Sequence, residues 1–265
     1  MPCITSVSAA GCRPVLHRRL PGWAAMLPLL LLAGCSQRAI VLNYPGEALD
    51  FSQGSLQAPP ITIDRVSDLR PAAQRAGQGH FFGITFPKDT AWDRPATEIY
   101  GQALAQDLDQ THMVQLVPLP AQAQYVLSAD LLSLGCRLQR SPGGLLLASS
   151  IGVGLGLVLG EDASDRTKQA AVFGVLAMAA VPMPAHCLAE AEVRLTLRNT
   201  RGETVWQASC LGEYEGKKYM SPTARQDQEV VDEYLTKAIK RANACLLGQL
   251  RQTLVDLQTP AGESQ

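Results

Sequence analysis

The sequence predicts an α+β fold: a small antiparallel or mixed sheet with two helices on one face, interrupted by an inserted apolar α-helical hairpin. Three observations predict it. Residues 189–198 (AEAEVRLTLR) alternate strictly, with Ala191, Val193, Leu195 and Leu197 on one face and charged or hydroxyl side chains on the other. Two stretches, 95–108 and 228–257, repeat apolar residues at the helical period. Between the strands lie two runs free of formal charge, 143–160 and 170–189, separated by EDASDRTK (161–168), which reads as a polar turn.

The chain opens with a segment unlike the rest. Residues 1–34 carry Arg13, Arg18 and Arg19 and no acid, which leaves the remainder at −4 against a whole-chain charge of −1. WAAMLPLLLLA, 23–33, follows the basic residues and runs into LAGC, with small residues ahead of Cys35. A basic region, a short apolar core and small residues are the marks of a cleaved export signal, and the core is too short for a bilayer, which needs roughly 20 residues. LAGC resembles the lipobox of bacterial lipoproteins, which implies that Cys35 carries covalent lipid and becomes the first residue after cleavage. Ser36 in place of aspartate implies, by the same resemblance, an outer-membrane destination.

Residues 35–60 are rich in Gly, Pro, Ser and Gln and read as a lipidated tether. ITIDRV, 61–66, is the first strand, and 67–95 reads as a long loop. Pro95 opens a helix through Ile99, Ala103, Leu104 and Leu108, with Asp93 available as a cap. MVQLV (113–117) and 123–138 are strand candidates, the second with Leu127, Ala129 and Leu131 on one face. After the 189–198 strand, Asn-Thr-Arg-Gly (199–202) makes a turn, and 203–216 returns as the hairpin partner. A closing helix, 228–257, places Val231, Leu235, Ala238, Ala242, Cys245 and Gln249 on one stripe. Residues 259–265 read as a flexible tail. The domain is therefore discontinuous, 61–142 with 185–258.

The insertion, 143–184, is Gly-rich and Ala-rich. At about 1.5 Å per helical residue its two runs of 18 and 20 residues reach about 27–30 Å, the thickness of a hydrocarbon core. Gly152, Gly156 and Gly160 form a GxxxGxxxG row, and Ala170 with Gly174 offers a matching small face. Small residues let helix backbones approach in lipid, whereas each glycine costs a helix in water about 1 kcal/mol. Insertion in a membrane and burial against the domain itself are the two readings.

The lipobox, a β-run followed by a helix and a strand, the two apolar segments with their glycine row, and the closing strands and helix together resemble the TraT surface-exclusion lipoproteins of conjugative plasmids. The lipoprotein front, the ITIDRVSDLRP segment and the C-terminal strand and helix are similar to the YajG group of envelope lipoproteins. The resemblance covers the order of elements over most of the chain after Cys35 and implies a ring-like homo-oligomer with its hairpins gathered in the outer membrane. No exclusion-specificity segment is identifiable.

Composition excludes other classes. With 46% apolar residues, 18% charged and a charge near zero, the chain is neither disordered nor a basic nucleic-acid binder. Cys136, Cys187, Cys210 and Cys245 remain once Cys3, Cys12 and Cys35 are set aside, and an oxidising compartment allows two disulfides in three connectivities. Cys136 and Cys187 flank the insertion, so a bridge there would staple its base and leave Cys210 to face Cys245; four separate buried thiols are the alternative. His186 beside Cys187 is the one neighbouring ligand pair, and no CxxC or HxxxH occurs, so no metal is expected. Glu213, Glu215, Lys217 and Lys218 read as a solvated strand end. Nothing nominates a catalytic residue. The expectation is a non-enzymatic outer-membrane lipoprotein without cofactor beyond the lipid on Cys35, its domain in the periplasm. Its expected partners are membrane lipid, copies of itself and other envelope proteins, with no nucleic acid. The alternative is a lipid-anchored periplasmic binding or adaptor protein whose hairpin packs on its own domain.

Overall fold

The structure, a computed structural model, describes residues 39–47, 49, 57–80, 83–85, 87–220 and 224–259. The chain divides into Met1–Gln37 and Arg38–Gln265, and only the second unit contains described residues. The export signal and Cys35 lie outside the described residues, as does 260–265 of the tail.

The fold is α+β. In chain order it comprises β1 (Pro60–Asp68), α1 (Ala72–Ala76), β2 (Gln78–His80), β3 (Gly83–Thr85), α2 (Ala96–Thr111), β4 (Gln115–Leu116) and β5 (Tyr125–Arg140). Then follow α3 (Pro142–Leu159), α4 (Ala163–Ala180), β6 (Met183–Asn199), β7 (Thr204–Met220) and α5 (Ala224–Gln258). The 67–95 segment, expected as a loop, holds α1, β2, β3 and a 3-10 turn, Asp89–Ala91. Strands of three residues are too short to show an alternation.

β5 is the axis of a mixed sheet. β1 runs parallel to its first half and β3 antiparallel to its end, while β6 covers the other edge for nearly its whole length and β7 follows β6. The 199–202 turn forms because Asn199 Oδ1 accepts from the backbone N–H groups of Arg201 and Glu203, both at 3.0 Å, and Gly202 supplies φ +82°. β6 begins at Met183, inside the apolar run that ended the expected hairpin, because Ala185, Cys187 and Ala189 already point inward at period two. Its inward row to Leu197 is fully buried, and each such leucine contributes about 1.5–3 kcal/mol. The other face carries Asp130, Glu190, Glu192 and Arg194, half-buried.

α2 and α5 cover the apolar face. Pro95, not Asp93, stands at the N-cap of α2; a proline in the first turn loses no helical bond there, and Asp93 instead pairs with Arg94 at 3.3 Å. α5 starts at Ala224 and rides on β7 at Gly212, where a Cβ would strike the Ala238 carbonyl and Ala242. Its expected stripe holds through Ala242 and then departs. Cys245 and Gln249 are exposed, and Leu246, Leu247, Leu250 and Leu254 continue the core, because 3.6 residues per turn moves the stripe onto them.

Residues 40–46, expected within a tether, are bonded to the domain as a strap. Ile40 bridges to Trp92, Asn43 donates twice to Asp232 at 2.8 and 3.0 Å, and Gln106 and Gln110 donate to the carbonyls of Pro45 and Gly46. Ile40 and Leu42 join the core, which opposes the freedom a tether needs.

Candidate functional site

The hairpin stands at the end of the longest strand pair. Ser141 caps α3 by accepting from the Gly144 N–H, Pro142 opens the helix, and the Ser141 N–H donates to the Pro184 carbonyl at 2.9 Å, which ties both feet together. Beneath the feet, Arg140, buried, donates to both oxygens of Asp227 at 2.7 and 2.8 Å and fixes the start of α5 to the sheet. Burial pushes the Asp227 carboxyl up despite the opposing pull of Arg140.

The glycine row is used inside the hairpin. A Cβ at Gly152 would run into the Phe173 carbonyl and lie 2.7 Å from Ala177 Cβ, one at Gly156 would meet the Ala170 backbone, and one at Gly160 would sit 2.5 Å from Arg166 Cα. Gly174 faces Val153 across the same interface at 3.1 Å. α3 and α4 therefore touch along their backbones. Outside the polar first third of α4 the outward surface is apolar: Leu146, Leu147, Ile151, Leu155, Val158 and Leu159 on α3, with Val172, Val175 and Leu176 on α4, are all exposed, Val158 at 80%. Contiguous apolar exposure on this scale marks a surface covered in use.

Two expectations about the insertion change. The polar segment 161–168 is not a turn. The turn is 160–162, and α4 takes up the remainder because Arg166 donates to the Gly160 carbonyl at 2.9 Å and Gln169 to Asp165 at 2.8 Å, one turn apart. α4 ends at Ala180, ahead of Pro182 and Pro184, so its apolar part is only about 17 Å long at about 1.5 Å per residue. Among the described residues one helix, α3, is long and apolar enough to cross a membrane. Nor does the hairpin pack on its own domain. Its foot forms a small cluster of Leu145, Ala148 and Met183 with Met178 and Val181, and above that foot α3 is open on every side except toward α4.

Cys210 and Cys245 are joined in a disulfide that pins β7 to α5. Cys136 and Cys187, by contrast, are free and buried. Cys187 pairs with Leu138, and Cys136 with Ala189, so the two thiols occupy diagonal positions on neighbouring strands. Diagonal Cα atoms stand about 7–8 Å apart in a sheet, beyond ordinary disulfide reach. Burial pushes the Cys136 thiol up to about 12 and that of Cys187 to about 11.

Two polar clusters escaped the sequence reading. Asp107, fully buried on α2, accepts from Tyr44 of the strap at 2.5 Å and from Lys240 and Asn243 of α5 at 2.5 and 2.7 Å; Tyr100 donates to Asn243 Oδ1 at 2.8 Å. Burial, with Asp107 beside it, raises the Tyr44 hydroxyl far above its usual range. The signal was present: Asp107 and Asn243 occupy positions on the apolar stripes of their helices, where a polar residue needs a partner. The second cluster borders an open cleft of about 440 Å³ at the start of α2, where buried Arg70 grips Asp68 through two bonds and Asp89 through one at 2.8 Å. Burial alone would raise the Asp68 carboxyl; Arg70 reverses this and holds it below the ordinary range. The carboxylates there are thus engaged in ion pairs. Among the described residues no group of three or more His, Cys, Asp or Glu side chains could hold a metal ion.

No family model and no curated protein matches the sequence. Solved structures with a related chain path include protein XCC0632 from Xanthomonas campestris, at 10% identity and TM-score 0.43, covering 84% of this chain and 98% of that one. Another is a putative neuraminyllactose-binding hemagglutinin homolog from Helicobacter pylori, at 8% identity and TM-score 0.34, covering 81% and 90%. Lipoprotein GNA1162 from Neisseria meningitidis matches at 9% identity and TM-score 0.26, covering 75% and 96%. All three scores are below 0.5, and the reading of this chain rests on its own residues.

Proposed function

We propose that this chain is a lipoprotein of the bacterial cell envelope, attached to the outer membrane through acyl groups on Cys35 and again through the α3–α4 hairpin, with its α+β domain in the periplasm. Its role is non-enzymatic, in envelope structure or assembly, and it works as a homo-oligomer. One observation carries the reading: the hairpin consumes its glycine face internally and presents leucine and valine outward. In water that arrangement exposes apolar area at about 25 cal/mol per Å². In lipid, small residues at the helix contact and apolar residues outside are the favoured distribution. The LAGC sequence and the TraT-like and YajG-like order of elements support the same assignment.

The shape of the hairpin limits how it inserts. α3 covers about 27 Å, but α4 turns polar at Lys168, Arg166 and Asp165, so a lone hairpin would bring charge into the outer part of the hydrocarbon. Assembly that turns the polar third of α4 toward other copies resolves this and favours the oligomer.

The test is alkaline carbonate extraction of a chain with Cys35→Ser and a conventionally cleaved export leader, so that neither lipid nor leader remains. Retention in the membrane supports the hairpin's role, and complete release overturns it.

A further inference from the structure

Resting on that reading, the end of the sheet from which the hairpin rises has a second surface suited to the membrane. β5, β6 and β7 all reach that end, and Cys136, Leu138, Arg140, Ala185 and Cys187 form their buried row there. The side chains between them point to the opposite face, where Arg137, Gln139, Lys217 and Tyr219 are exposed.

The strand register orders this outward face in rows. Tyr219 stands beside Pro184, whose carbonyl accepts from the Ser141 N–H at the foot of α3, and it keeps 78% of its surface exposed. The next row joins Gln139, His186 and Lys217, and the one after it Arg137, Leu188 and Glu215. Farther from the foot come Gly135, Glu190 and Glu213, then Ser133, Glu192 and Leu211. The face thus reads aromatic, then basic, then acidic. Glu215, the acid within the basic rows, is bonded to His186 Nε2 at 2.7 Å, whereas Arg137 and Lys217 make no ion pair among the described residues.

That order is the one a lipid leaflet favours. Tyrosine concentrates where hydrocarbon meets water. Anionic headgroups attract lysine and arginine over about a Debye length, about 8 Å at physiological salt. At about 3.4 Å per residue along a strand, Lys217 is about 7 Å from Tyr219, the Arg137 row about 14 Å and the Glu190 row about 20 Å. The headgroup layer is about 5–8 Å deep. Both cations are therefore within range of headgroup phosphates, their long side chains extending the reach, and the acids stand clear.

We propose that the outward face of this strand end binds the anionic phospholipid headgroups of the leaflet that the hairpin enters, with Lys217 and Arg137 on the phosphates and Tyr219 at the boundary with the hydrocarbon. The hairpin supplies depth, and this face supplies a preference among lipids.

The experiment reconstitutes the full lipidated chain in phosphatidylcholine vesicles holding a trace of phosphatidylglycerol or of phosphatidylcholine spin-labelled on an acyl chain. Electron spin resonance then gives the fraction of each labelled lipid that the protein immobilises. Phosphatidylglycerol is expected to be preferred about fivefold at low salt, the factor one basic residue contributes at an anionic surface, and the preference to fade toward unity at about 1 M salt. Arg137→Gln with Lys217→Gln is expected to bring the ratio near one. Arg198→Gln with Arg201→Gln removes equal charge at the other end of the sheet, beside the 199–202 turn, and is expected to leave the ratio unchanged. Equal immobilisation of the two lipids by the native chain overturns the proposal and leaves the hairpin in place. So does a preference that survives the first pair of substitutions or falls as far with the second. Immobilisation of neither lipid is the failure of the hairpin reading, and the headgroup face falls with it.

Discussion

Lys240 Nζ lies 2.5 Å from Oδ1 of Asp107, and the two are buried unequally: the carboxylate is fully enclosed, while the lysine side chain keeps 16% of its surface exposed. The pair therefore has a costly member and a cheap one. Lys240→Met leaves a buried carboxylate without its counter-charge and is expected to lose about 3–5 kcal/mol of stability. Asp107→Asn leaves an ammonium that can reach water and is expected to lose about 1–3 kcal/mol. In the double variant the charge is gone from both sides, so its loss falls short of the sum of the two. Equilibrium urea unfolding measures all three, and a larger loss for Asp107→Asn than for Lys240→Met refutes this account.

The Cys210–Cys245 disulfide closes a loop of sequence separation 35 that contains the latter part of β7 and the whole first half of α5. Loop-closure entropy for that length corresponds to about 3–4 kcal/mol. Reduction is expected to lower the unfolding free energy by that amount and the denaturant midpoint with it, and a Cys210→Ala, Cys245→Ala chain is expected to begin at the lower midpoint and ignore the reductant. An unchanged midpoint on reduction would show that packing of α5 on β7 holds without the bond.

Much of the fold is legible in the sequence because each strong element repeats its period often enough. Val193, Leu195 and Leu197 identify β6, and Ile99, Ala103, Leu104 and Leu108 identify α2. Elements were lost where the period was short or masked. β2 and β3 have three residues each, and the first half of β6 hides because Ala185, Cys187 and Ala189 alternate with Pro184 and Leu188 rather than with charges. The glycine row was readable since 152, 156 and 160 keep helical spacing. The strap was not: Ile40 and Tyr44 acquire partners only when β1, α2 and α5 come together. Disulfide choice likewise needed the strand register, which places Cys136 and Cys187 diagonally, and the docking of α5 on β7, which brings Cys245 to Cys210.

Neighbouring glycines of α3 should behave oppositely. Gly156→Ala aims its methyl at the Ala170 backbone, which cannot rotate away, so the helices must part; overpacking of this kind costs about 1–3 kcal/mol. Gly154→Ala meets nothing within 4 Å and gains about 1 kcal/mol of helix propensity. In detergent, trypsin cleavage after Arg166 and Lys168 should accelerate in Gly156→Ala and slow or stay level in Gly154→Ala. Equal rates would show that the row does not hold the two helices together.

Stability should decline on the alkaline side, and the buried thiols set where the decline begins. Burial raises Cys136 from 9.0 to about 12 and Cys187 from 9.0 to about 11, so the folded chain keeps two protons that the unfolded chain releases. Below about pH 9 both states hold these protons and the contribution is constant; between pH 9 and about 12 the unfolded state binds fewer, and stability falls as pH rises. Tyr44 and Tyr100, both raised by burial and by Asp107, extend the fall above pH 10. Urea unfolding at pH 8, 9 and 10 should show a level response followed by a decline, and replacing both thiols by alanine should flatten the slope between pH 9 and 10 while leaving the steeper tyrosine-linked fall above it. The same burial predicts that neither thiol reacts with maleimide in the native chain at pH 7 and that both react in urea. A pH slope unchanged by the double replacement would place the alkaline sensitivity entirely on the tyrosines around Asp107.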